Sequence, residues 1–139
     1  MSGKALVIDA STALGFILKD EQAGPSMADL AALEQGAPTF VPAHWAVEVA
    51  NGLVMAERRK RLTQAEMAEA LDLLAALPVT IDPETATRLG GTTAGLARQY
   101  RLTAYDAAYL ELAMRRGATL ATTDQALAKA AVAAGVVTL

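Results

Sequence analysis

Cysteine is absent from the 139 residues, and histidine occurs once, at His44. The first absence excludes disulfides and thiolate metal sites; the second excludes the paired imidazoles on which most zinc enzymes depend. Any metal here must be held by oxygen. Aromatic residues make up only 4% of the chain, too few for broad recognition of bases by stacking. No apolar run approaches the roughly 20 residues of a membrane span, and the run before Asp9 in MSGKALVIDA is too short for a signal peptide. A soluble, cytoplasmic protein with no membrane partner is expected. Positive charge is not in excess either: twelve Lys and Arg stand against fifteen Asp and Glu, for a net charge of −3. That balance does not by itself favour a polyanionic ligand. Were four carboxylates committed to cations, twelve basic groups would face eleven acidic ones, and a polyanion would become acceptable once the cation is in place.

What is plentiful is apolar surface. A hydrophobic content of 53% suffices for one core, and the length leaves little room for a second, so a single domain over 1–139 is expected. Short β-branched runs alternate with longer Ala- and Leu-rich segments of helical period, the pattern of an α/β fold. The expectation is a small, mostly parallel five-stranded sheet flanked by helices. Strands are predicted at 5–8, 39–41, 79–81, 118–121 and 136–138, with helices at 12–19, 26–35, 43–59, 64–76, 83–100, 104–116 and 125–134. Thr63 and Glu66 form a capping box, Pro83 suits a first helical turn, and Gly117 and Gly135 suit helix stops before strands. Pro38 and Pro42 keep the second strand short. Gly90 and Gly91 soften the helix at 83–100 and invite a bend. The GGTTAG stretch there follows no strand, so it is not a dinucleotide loop.

Acidic residues fall at telling places. Asp9 directly follows the first strand, at the end where open α/β sheets gather ligands; it could equally cap the next helix. Asp124, in LATTDQALA, repeats both possibilities. Glu48 shares a helical stripe with Trp45, Val49, Gly52 and Met55, where an unpaired carboxylate is costly. It needs a cation or an Arg, and Asn51, one turn on, could share its ligand or bond to it. Asp106 sits three residues after Thr103 and could be a capping-box acid. It also shares a face with Tyr109, Leu110 and Ala113, while Glu111 points to the solvated side and can pair with Arg115. Four acids turned to strand ends and inward helix faces repel one another, and a divalent cation resolves that conflict. An all-carboxylate site suits Mg²⁺ or Mn²⁺.

The segments VIDASTAL, HWAVEVANGL, LTAYDAAYLELA and LATTDQALAKAA, in this order and at these intervals, resemble PIN-domain toxins of the VapC type. The resemblance covers nearly the whole chain. It implies a PIN-like doubly wound sheet, Mg²⁺- or Mn²⁺-dependent endoribonuclease activity on RNA, a cognate VapB-type antitoxin and a homodimer. By matched position, Asp9, Glu48, Asp106 and Asp124 would be the acidic quartet that holds metal and carries catalysis. Ser11, Thr12 and Thr122 stand where the family carries hydroxyls near its acids, as supports for metal waters or carboxylates or as plain caps. Asn51 fits the family's segment after the Glu.

Hydrolysis by metal-activated water would leave 5′-phosphate and 3′-hydroxyl ends. Positive charge for RNA would come from Arg58, Arg59, Lys60 and Arg61, with Arg98, Arg101, Arg115 and Arg116 beyond, unless the cluster is a solvated helix end. Tyr105 and Tyr109 read as packing residues, Trp45 as buried or interfacial, and His44 as a polar helix start. A haloacid-dehalogenase phosphatase would need a second Asp where Ser11 stands, and a receiver domain an acidic pair where only Asp9 is found. A catalytically inactive PIN-like module that binds RNA or protein is the alternative from a different class.

Overall fold

The computed structural model describes residues 4–18 and 36–139, so the predicted helix at 26–35 lies outside the described residues. The sheet has four parallel strands: β1 (Leu6–Ile8), β2 (Thr39–Val41), β3 (Thr80–Ile81) and β4 (Thr119–Ala121). Their order is β3-β2-β1-β4. The inner strand β1 reads Leu-Val-Ile and is buried throughout, as a parallel strand covered on both faces requires. Leu6 pairs with Thr39 on one side and with Thr119 on the other. The edge strand β3 is exposed.

The expected fifth strand at 136–138 is not formed; its only pairing is an isolated bridge between Leu120 and Thr138. The reason lies in β4. Backbone groups alternate sides along a strand, so Thr119 and Ala121 bond towards β1, leaving only Leu120 to face outward. Its N–H donates to Val137 C=O at 2.8 Å and its C=O accepts from Leu139 N–H at 3.1 Å. A three-residue strand offers an outer neighbour no more than that.

Around the sheet lie α1 (Ala10–Leu18), α2 (Trp45–Arg58), α3 (Gln64–Ala76), α4 (Thr85–Arg88), α5 (Ala94–Tyr100), α6 (Ala104–Arg116) and α7 (Gln125–Ala133). The capping box of Thr63 and Glu66 opens α3, and Gly117, at φ 59°, closes α6. The segment expected as one bent helix runs as α4, a π turn at Leu89–Thr93, and α5. Gly90 and Gly91 thus widen the helical ladder by a residue instead of breaking it. Helices α1 and α2 approach closely at Gly52, where an added Cβ would overlap the Leu14 side chain.

Helix α6 crosses β2, β1 and β4 and is covered in turn by α5, the π turn and α7. Residues Ala107 to Ala113 are consequently all buried. Val49 and Leu53 of α2, Val7, Leu110, Leu120 and Leu127 are fully enclosed, and each such Leu→Ala change costs about 2–5 kcal/mol. This arrangement corrects the reading of Glu111. It does pair with Arg115, at 2.8 Å, but it is only 4% exposed, because a helix sandwiched on both sides has no solvated face at that level.

From β1 the chain's next strand, β2, lies to one side, whereas its last, β4, lies to the other. That reversal opens a crevice at the carboxyl ends of β1 and β4, the place where open α/β sheets bind ligands.

Candidate functional site

Asp9 is the first residue beyond β1, and its N–H donates to Ala121 C=O at 3.1 Å, fixing it at the mouth of this crevice. Its side chain is 4% exposed. Oδ1 accepts from the Ser11 hydroxyl at 2.8 Å and the Thr12 N–H at 2.9 Å, while Oδ2 accepts from the Thr122 hydroxyl. The helix-cap role is therefore real, but it accounts for one bond of three. A carboxylate has about four lone-pair positions, so Oδ2 keeps one for a further partner. The hydroxyls are themselves anchored. Thr12 Oγ1 donates to Ala121 C=O at 2.9 Å, Ser11 Oγ accepts from Thr123 N–H at 3.2 Å, and Thr122 Oγ1 accepts from Asp124 N–H at 3.0 Å. Together they stitch the end of β1 to the end of β4.

Asp124 begins α7, where its Oδ1 accepts from Ala126 N–H at 2.9 Å. Asp106 enters from α6. Its N–H is capped by Thr103 Oγ1 at 3.1 Å, but no reciprocal bond from Thr103 N–H to its carboxyl is formed among the described residues, so the capping-box duty is absent. The carboxyl is instead pushed up to about 6, first by burial and then by the negative charges of Asp124, Glu48 and Asp9. Glu48, in the first turn of α2, accepts from the Tyr109 hydroxyl at 2.7 Å on Oε1, the oxygen that lies 3.3 Å from His44 Nε2. Burial and that bond hold the Tyr109 hydroxyl protonated far above its ordinary range.

The structure thus brings Asp9, Glu48 and Asp124 within electrostatic reach of Asp106. It does not draw them to one point: among the described residues, no three His, Asp or Glu side chains are placed to hold a single ion. Asp9, Glu48 and Asp124 are each held by donors of their own. Asn51 is not joined to the group. It is exposed, and its side chain makes no hydrogen bond to a described residue.

Two cations expected to face RNA are engaged elsewhere. Arg115 bonds to Asp82 at 2.7 Å, Glu111 at 2.8 Å and Glu84 at 3.3 Å, and Arg116 stacks 4.2 Å over the Phe40 ring. Arg58 to Arg61 lie at the far end of α2 from Glu48, about 15 Å along the axis at 1.5 Å per residue. Tyr109 packs as expected, at 1% exposure, but its bond to Glu48 is not foreseen in the sequence, and Asp82 is not singled out there. The signal for Tyr109 was its place on the Asp106 face; for Asp82 it was VTID, which repeats the strand-then-acid pattern of LVID. Tyr105, expected to pack, is 62% exposed.

Fold and site define a small parallel α/β protein with an acidic crevice at the carboxyl edge of its sheet. The sequence matches the PIN domain family over residues 6–133, and the chain belongs to that family. No curated protein matches it. Among solved structures the fold is shared with PAE2754 from Pyrobaculum aerophilum, at 20% identity and a TM-score of 0.69 over 97% of this chain and 83% of that one. It is shared with VapBC2 from Rickettsia felis, solved bound to a DNA fragment from their promoter, at 13% identity and 0.64 over 97% of both chains. FitAcB from Neisseria gonorrhoeae matches at 17% identity and 0.58 over 96% of both.

No helix among the described residues is long and apolar enough to cross a membrane.

Proposed function

We propose that this PIN domain is a divalent-metal-dependent endoribonuclease, the toxin of a toxin–antitoxin pair, with Asp9, Glu48, Asp106 and Asp124 as the ligands of Mg²⁺ or Mn²⁺. One observation carries the reading: Asp9, Glu48 and Asp124, each from a different element, add their negative charge to the burial that pushes the Asp106 carboxyl up to about 6, the kind of perturbation that gathers at functional sites. The donor set fits a hard cation, being all oxygen, with a lone pair left on Asp9 Oδ2 and with Glu48 Oε2 unbonded among the described residues. The toxin role, a VapB-type antitoxin and a homodimer rest on the resemblance to VapC proteins.

A bound divalent ion supplies positive charge against a scissile phosphate and lowers the pKa of coordinated water. The protein's own groups do the positioning. Ser11 and Thr122 fix the plane of the Asp9 carboxylate, and Tyr109 pins Glu48 by one oxygen. Asp106, whose carboxyl senses Asp124, Glu48 and Asp9, would accept a hydrogen bond from the attacking water. Cleavage leaves 5′-phosphate and 3′-hydroxyl ends.

The test is cleavage of single-stranded RNA by the purified wild type. EDTA should abolish it, and added Mn²⁺ or Mg²⁺ should restore it. Tight RNA binding with no turnover at any metal concentration would instead identify a binding module.

Crowding also has a stability signature. The folded Asp106 carboxyl, at about 6, holds its proton more tightly than the unfolded chain, whose carboxyl has a value of 3.8. Its contribution to stability is therefore greatest below 3.8, declines as pH rises to about 6 and stays low above that. In EDTA, Asp106→Asn should melt higher than wild type at pH 7.5, and its advantage should shrink by pH 4.5. An equal difference at both pH values would contradict the crowding.

A further inference from the structure

An open pocket of about 370 Å³ lies beside His44, itself 3.3 Å from Glu48. Its walls are Ala43 and His44 ahead of α2, Ala86 and Leu89 around the start of the π turn, and Ala104 and Tyr105 at the start of α6. We propose that this pocket receives one nucleobase of the RNA substrate, stacked on the Tyr105 ring; the proposal rests on the nuclease reading above.

Pocket and acids are built from the same two helix starts. His44 forms one wall and lies 3.3 Å from Glu48; Tyr105 forms another and immediately precedes Asp106. A phosphate held at the acids therefore presents the base of an adjoining nucleotide to this wall. The volume falls within the roughly 300–1,000 Å³ range of small-ligand pockets. Tyr105 is a large ring left 62% exposed, and it is steadied edge-on by His44, with centroids 5.7 Å apart and planes at 68°. That leaves the tyrosine available as a platform. The π turn adds a second sign: such turns are rare and occur often at functional sites, and its first residue, Leu89, lines the pocket at 41% exposure.

The lining explains why the occupant is a flat ring and how it is chosen. The Thr85 hydroxyl, also at the pocket, accepts from Ala43 N–H at 3.0 Å and donates to Asp82 C=O at 3.3 Å, while His44 Nε2 lies 3.2 Å from Tyr105 C=O. With these groups engaged and the Ala43, Ala86, Leu89 and Ala104 walls apolar, the base is recognised chiefly by its face and size. Purines, with more stacking area, should be favoured over pyrimidines. One such platform is compatible with the low aromatic content, which argues only against a long run of stacked bases.

Two measurements test this together. In steady-state cleavage of short single-stranded RNAs with Mn²⁺, Tyr105→Ala should raise KM on the order of tenfold with little change in kcat, and Tyr105→Phe should restore it. Removing the base at one nucleotide of the substrate should reproduce that rise in wild type and add nothing in the Ala variant. Separately, adenosine titrated into the protein in EDTA should shift the NMR signals of the Ala86, Ala104 and Leu89 methyl groups in wild type and not in Tyr105→Ala. Normal cleavage with an unchanged KM in Tyr105→Ala overturns the pocket and leaves the nuclease reading standing. Absence of cleavage by wild type overturns the nuclease reading, and the adenosine titration then decides the pocket alone. Silence of those methyl groups towards adenosine, with a response to an apolar peptide, makes it a protein-docking site and overturns the proposal.

Discussion

Asp9→Asn protein is expected to fold normally and to lose at least about 100-fold in kcat/KM for RNA. The magnitude follows from comparison: even outer partners of metal ligands are worth about 10–100-fold, and Asp9 is proposed as a direct ligand. Folding should survive because Asn keeps the shape and one acceptor oxygen, which can still take the bonds from Ser11 and Thr12. Its amide nitrogen would face Thr122, whose hydroxyl can rotate to accept. What is lost is the negative charge at the mouth of the crevice. Single-turnover cleavage with saturating Mn²⁺ reads the effect directly, and a circular dichroism melt reads the fold. A variant that cleaves within a few-fold of wild type removes Asp9 from the site.

The second large effect is one of stability. Asp82 and Glu111 are buried carboxylates, 1% and 4% exposed, and Arg115 bridges both, reaching Glu84 as well. Hydrogen bonds from the guanidinium hold Asp82 below its ordinary value of 3.8. Arg115→Met leaves two buried charges facing each other, with Arg116 at 3.5 Å as the remaining cation near Asp82. Removing one partner of a buried ion network costs about 3–5 kcal/mol; the partial exposure of Arg115 places the expectation at the lower end, about 3 kcal/mol, or a fall in Tm of roughly 10 °C. The pH dependence is diagnostic. In wild type, the lowered Asp82 contributes stability above 3.8 that is lost as pH falls through its folded value. In the variant, the stranded carboxyls favour protonation, so the deficit should narrow as pH falls from 7 towards 4. A loss under 1 kcal/mol at pH 7 would show that the cluster is solvated. Arg115→Lys keeps the charge without the planar fork and should recover only part of the loss.

The contrast between these two networks shows where sequence reasoning reaches. Local signals placed β2, α3 and α6 to the residue, because Pro38 and Pro42, the Thr63 and Thr103 caps and Gly117 act within a few positions of themselves. Asp9 was legible because a strand followed by an acid needs no distant partner to be noticed. The expected pair of Arg115 with Glu111 is formed, but its second partner, Asp82, is not legible because it lies 33 residues away, on another layer of the fold. Helical period alone turned Glu111 outward, yet α6 is covered on both sides, a fact of tertiary packing. The strand expected at 136–138 failed for a similar reason: its residues suit a strand, but β4 offers only Leu120 to pair with. Tyr109 needed the approach of α2 to α6 before its hydroxyl could be seen to hold Glu48.

That four separated acids jointly take up one kind of cation is best examined by anomalous diffraction from crystals soaked in Mn²⁺. Strong density should lie among Asp9, Glu48, Asp106 and Asp124, with the side chains drawn inward from the positions described above. Density bound elsewhere, or none in crystals of protein that cleaves RNA, would contradict it.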